Sequence, residues 1–160
     1  MNGREALKIS MDTGELVALT FLEDLSDEEM MLRPATGSNH INWQLGHLIL
    51  SEHKFIKQIN AEAVPDLPED FDTKYSREAA TIDNPNMFSK KEELLRIYRE
   101  QRAASKALLE QMTDDDLDRP TGIDYAPNFG ALFAMLGSHQ MMHVGQWAVV
   151  RRQLGRAPLI

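Results

Sequence analysis

The chain has 160 residues, of which 42% are hydrophobic and 26% charged, the balance of a globular protein large enough to bury a substantial core. Its net charge of −8 disfavours tracking of a nucleic-acid backbone, and the absence of cysteine excludes disulfides, thiolate ligands and a cysteine nucleophile. No apolar run reaches the roughly 18 residues of a membrane span, and the N-terminus lacks the basic-then-apolar order of a signal peptide, so a cytoplasmic protein without membrane or nucleic-acid partners is expected.

Almost every segment has helical periodicity, and none alternates as a strand. A first helix is expected over about 5–25, with Leu7, Met11, Gly14, Ala18, Phe21 and Leu25 along one stripe. A second, over about 42–59, carries Leu45, Leu48, Ile49, Phe55, Ile56 and Ile59. The acidic, proline-bearing stretch 60–88 is too long for a simple turn; it must cross the bundle end or cover something. A third helix, over about 89–112, opens with Ser89 and Glu92 spaced as a capping box, and its inward stripe is Leu94, Tyr98, Gln101, Ser105, Leu108 and Met112. A fourth, over about 128–154, stops at Gly155, and Arg151, Arg152 and Arg156 suit the negative end of its dipole.

A weak internal repeat pairs these helices. "LEDLSDEEMMLRP" (22–34) parallels "LEQMTDDDLDRP" (109–120), each with a Ser or Thr cap followed by acids. Eight residues after each proline, Asn plus an aromatic opens the next helix: Asn42-Trp43 and Asn128-Phe129. The expectation is one all-α domain over 1–160, a four-helix bundle in up-down-down-up order with a long connection between the second and third helices. The acids Asp114–Asp116 lack the spacing of a calcium loop and read as helix capping.

The histidines carry the chemistry. On the fourth helix Leu132, Leu136, His139, His143, Gln146 and Val150 form one inward stripe, which places two imidazoles a turn apart on an apolar face. Each is either a core histidine satisfied by hydrogen bonds or a ligand to a metal ion. A third ligand would come from the second helix, where His47 borders the apolar stripe and Gly46 permits close approach. His53 is six residues on, about 120° further round, and cannot face the same ion. His40 falls in a turn and is expected to be solvated. Gln101, Ser105, Gln146 and Glu52 are candidates to support the ligands or contact substrate; bundle hydrogen bonding, or for Glu52 a solvated helix surface, is the competing account. Residue 140 is Gln, not the Glu of zinc proteases.

Three segments, "NWQLGHLILSEH", "FSKKEELLRIYREQRAASKALLEQMTDDDLDRP" and "GSHQMMHVGQWAVVRRQLGRAPLI", together resemble the DinB/YfiT-like superfamily of metal-binding four-helix bundles. The resemblance implies one divalent ion, nickel or zinc first, with iron, copper, cobalt and manganese as further candidates, held by His47, His139 and His143. It also implies a transferase that activates a low-molecular-weight thiol, such as bacillithiol or mycothiol, for attack on a small electrophile. A metal-dependent hydrolase and a non-catalytic metal-binding stress protein are the alternatives. A homodimer formed by helix faces is implied too, for which Val17, Leu19, Val144 and Val149 are the surplus apolar positions.

Overall fold

Helix α1 (Gly3–Leu22) begins where Asn2 and Glu5 cap each other reciprocally, two residues ahead of its expected start. The computed structural model describes residues 1–159; Ile160 lies outside the described residues. A 3₁₀ turn at Glu29–Met31 follows, opened by reciprocal bonds between Ser26 and Glu29. Helix α2 (Ile41–Ile59) is capped by His40, whose Nδ1 accepts from the Trp43 backbone N–H at 3.0 Å. His40 is fully buried, which corrects its placement as a solvated turn residue: its ring fills the cap, meets Phe88 edge-on and donates from Nε2 to the Ile82 carbonyl at 3.1 Å.

The connection then folds into 3₁₀ turns and the single-turn helix α3 (Phe71–Lys74). It covers α2 with Phe71, Tyr75, Ala79, Ala80 and Phe88, all buried in the core. Tyr75 lies directly on Gly46, where any Cβ would collide with its ring. Gly46 thus makes room for an aromatic side chain and not for the close backbone approach expected beside His47.

Helix α4 (Lys91–Gln111) lacks the capping box expected from Ser89 and Glu92. Ser89 is buried instead: its N–H donates to Tyr75 Oη at 3.0 Å, and its carbonyl accepts from Asn42 Nδ2 at 2.8 Å. Asp27, distant in sequence, accepts the Lys91 N–H at 2.7 Å. Asn42 is therefore a core residue and not the counterpart of Asn128, which does cap its helix.

After the Thr113–Asp116 capping box of α5 (Asp114–Leu117) comes a small antiparallel hairpin, β1 (Pro120–Ile123) and β2 (Ala126–Asn128). No strand was expected; segments of four and three residues are too short to show alternation, and Gly122, at φ 77° within β1, sits where the register breaks between Pro120 and Ile123. Helix α6 (Phe129–Gln153) ends before Gly155, which has φ 73°. Arg151 is buried against Asp24 and the Phe21 carbonyl, and Arg156 pairs with Glu29, so both bind neighbouring elements as well as facing the helix end.

Cross-helix contacts set the directions. Ser10 meets Gly137 and Phe21 meets Arg151, so α1 and α6 run the same way. Lys106 pairs with Asp12 and Glu15, and Arg4 reaches the Met112 carbonyl, so α4 runs against α1. Asn42 meets Ser89 and Glu52 meets Arg102, so α2 and α4 are parallel. The bundle is up-down-down-up. A parallel return from the 19-residue α2 requires the chain to travel back about 28 Å, which accounts for the long connection.

The apolar core falls into two clusters along the bundle. One contains Leu45, Ile49, Tyr98 and Trp147, and the other Met11, Ile56, Leu109 and Phe133. Between them along the helices lie buried polar residues, among them Glu52, Gln101, Arg102, Ser105, Gln140 and His143. Of the four positions marked for a dimer face, Val144 is in the core and Val17 and Leu19 pack against it; Val149 is exposed. No described helix is long and apolar enough to cross a membrane.

Candidate metal centre

Three imidazoles from two helices converge. His47 sits early on α2 and His139 and His143 a turn apart on α6, and one ligand-capable nitrogen from each lies within 4.8 Å of the others. The Nε2 atoms of His139 and His143 are 3.2 Å apart. Two nitrogens at about 2.1 Å from one ion would be separated by roughly 3.0–3.4 Å, so this pair already has the spacing of ligands. Two bare imidazole nitrogens repel at that distance. A proton on one of them, or a cation between them, removes the repulsion.

All three rings favour the neutral form that a metal ligand needs. Burial lowers His143 to about 3, with the neighbouring His139 and His47 adding to the effect. His47 falls to about 4, again chiefly through burial and then through His139, Arg77 and Lys54. Burial also lowers His139. Among the described residues no carboxylate joins the triad. Three neutral imidazoles therefore form an uncharged donor set that fits a divalent ion of the nitrogen-preferring kind. His47 and His139 are only half-buried, so the cluster communicates with solvent.

Two of the rings are held from behind. The Trp43 indole stacks on His47 with centroids 4.9 Å apart and planes 7° apart, and its Nε1–H donates to the Ser76 carbonyl at 2.8 Å. His143 Nδ1 lies 3.0 Å from Gln44 Oε1, and Gln44 Nε2 donates to Gln146 Oε1 at 3.0 Å. Gln146 is thus linked to the triad at one remove.

The other residues singled out in the sequence make contacts elsewhere. Glu52 is sealed in the core, 2.9 Å from Arg102, and is not a solvated helix residue; burial pushes its carboxyl up against the pull of that guanidinium. Ser105 Oγ donates to the Gln101 carbonyl, and Gln101 Oε1 faces His53 Nδ1 at 3.3 Å. His53 accordingly contacts α4 and not the triad. Sequence reasoning missed Gln44 and Arg102. Gln44 has no ligand spacing to flag it, and Arg102 could have been found only by reading Glu52, in line with Leu45 and Ile49 at helical pitch, as a buried carboxylate in need of a cation. A cleft of about 490 Å³ lined by Lys74, Ala79, Ile82 and Phe88 belongs to the connection, and none of the three histidines lines it.

Residues 13–147 match the family model of the DinB superfamily, and the chain belongs to that superfamily. No curated protein matches it. Among solved structures, YfiT from Bacillus subtilis superposes with a TM-score of 0.67 at 15% identity, covering 96% of this chain and 89% of that one. It is described as a probable metal-dependent hydrolase with an unusual four-helix bundle topology. A conserved protein from Enterococcus faecalis superposes with a TM-score of 0.72 at 16% identity, covering 98% and 99%. At these identities the likeness concerns the fold.

Proposed function

We infer that this protein binds one divalent metal ion through His47, His139 and His143 and uses it to transfer a low-molecular-weight thiol to a small electrophile. The observation that carries the metal reading is the 3.2 Å approach of the His139 and His143 Nε2 atoms, with His47 completing the cluster. An all-imidazole set suits nickel or zinc, and also iron, copper or cobalt, while manganese, which prefers oxygen ligands, is the least favoured of the candidates. A bound divalent ion supplies Lewis acidity that brings the pKa of a thiol or a water towards neutrality.

What the chain itself contributes is orientation and charge. Trp43 fixes the plane of His47, and the partly exposed faces of His47 and His139 leave the cluster open to a small molecule. Arg77 and Lys54 act on His47 through their charge, which suits an anionic sulfur or another anionic group on the substrate. With no cysteine in the chain, a nucleophilic sulfur would arrive with the co-substrate. The description of YfiT favours a second reading, hydrolysis at the same ion. Turnover of activated electrophiles by the metal-loaded protein, with and without added thiol, separates the two. Rate that depends on thiol supports transfer; rate unchanged by thiol supports hydrolysis; none with any electrophile, though metal binds, leaves a metal-binding protein without catalysis.

A homodimer is also proposed, its support now resting on exposed Ile9 and Leu16 of α1 and Met142 and Val149 of α6. Sedimentation equilibrium showing only monomer at micromolar concentration would remove it.

A further inference from the structure

Gln44 is 1% exposed, and both ends of its carboxamide are committed. The Trp147 indole N–H, which can only donate, lies 2.9 Å from Oε1. The Asn39 carbonyl, which can only accept, lies 2.6 Å from Nε2. These two partners fix which end of the amide is oxygen, because the flipped amide would set N–H against N–H and oxygen against oxygen. Gln146 Oε1 at 3.0 Å takes the second proton of Nε2.

The consequence falls on His143. Gln44 Oε1 carries no proton, so His143 Nδ1, 3.0 Å away, must donate. A neutral imidazole protonated at Nδ1 is bare at Nε2, and that is the nitrogen 3.2 Å from His139 Nε2. With the amide flipped, His143 would instead be protonated at Nε2 and unable to ligate from that side.

We propose that Gln44 is a positioning residue of the metal centre: its amide, locked by Trp147 and Asn39, selects the Nδ1–H tautomer of His143 and presents Nε2 as the ligand. The consequence for metal affinity rests on the metal reading above. The tautomer does not, and can be read in the metal-free protein.

The test is a long-range ¹H–¹⁵N spectrum of the histidine side chains at pH 7, with His143 assigned by its absence in His143→Ala. Wild type is expected to show His143 protonated at Nδ1 and bare at Nε2. Gln44→Met, close in volume but lacking the amide acceptor, is expected to shift it towards Nε2–H and to weaken Zn²⁺ binding by about 10- to 100-fold. Gln44→Glu keeps an acceptor for both donors provided its other oxygen carries a proton to meet the Asn39 carbonyl, and in that neutral, buried form it should keep the Nδ1–H tautomer, with affinity restored relative to Gln44→Met. Nε2–H in wild type overturns the proposal, even if Gln44→Met fails to fold. So does a folded Gln44→Met that binds Zn²⁺ as tightly as wild type. If wild type shows the Nδ1–H form but binds no metal, the metal reading fails while the tautomer lock stands.

Discussion

The Trp43 indole lies flat on the His47 imidazole, 4.9 Å between centroids, while its Nε1–H is tied to the Ser76 carbonyl in the connection between α2 and α4. One side chain thus joins the segment that closes the fold to a ring of the candidate metal centre. Trp43→Phe keeps an aromatic face and loses one hydrogen bond, and should cost about 1 kcal/mol of stability. Trp43→Ala loses both and should cost about 3–5 kcal/mol. Urea denaturation measures the stabilities and metal titration the affinities. If Trp43→Ala bound metal as tightly as wild type, the stack would not be orienting His47.

Gly46 is expected to tolerate no side chain. A Cβ there would overlap the ring of Tyr75, whose hydroxyl also accepts from the Ser89 N–H and donates to Asn42. Gly46→Ala must push Tyr75 off α2, at a cost of about 1–3 kcal/mol or more. Gly145, with nothing near its Cβ position, is the control: Gly145→Ala should be neutral or stabilising through helix propensity. Equal denaturation midpoints for the two variants would contradict the close packing of the connection on α2.

The four long helices were legible because each keeps an apolar stripe at helical pitch: Leu94, Tyr98, Gln101, Ser105, Leu108 and Met112 are all buried as the pattern requires. The histidine pair was legible for the same reason, since four residues is one turn. What escaped depends on contacts between distant residues. Ser89 and Glu92 have capping-box spacing, yet Asp27 from another element takes the Lys91 N–H. His40 is not among the usual capping residues, and only the Ile82 carbonyl, some forty residues on, makes its burial tolerable. The connection buries Phe71 and Tyr75 from a single helical turn, too short for periodicity to register.

Acid should destabilise the metal-free protein in a defined window. Burial, with help from the Arg33 charge, holds His40 at about 4, and His47 and His143 lie at about 4 and about 3, against an ordinary 6.5. A histidine whose folded pKa is depressed binds fewer protons folded than unfolded, so its contribution is complete above pH 6.5 and is lost as pH falls through the folded value. The urea midpoint should therefore fall steadily from about pH 6.5 towards pH 4. His40→Asn retains a capping side chain and removes one of these protons, and should flatten the slope. A midpoint independent of pH across that range would contradict the buried, neutral state of these rings.

The central claim is that three imidazoles from α2 and α6 hold one ion, and metal content measures it most directly. Untagged wild type, His143→Ala and His53→Ala, each soaked with zinc or nickel and desalted, are compared by mass spectrometry. About one equivalent in wild type and His53→Ala, with little in His143→Ala, is the expected result, because His53 faces Gln101 and not the triad. No retained metal in any of the three, or equal retention in all of them, would contradict the account. His139 and His143 would then be core histidines sharing a proton.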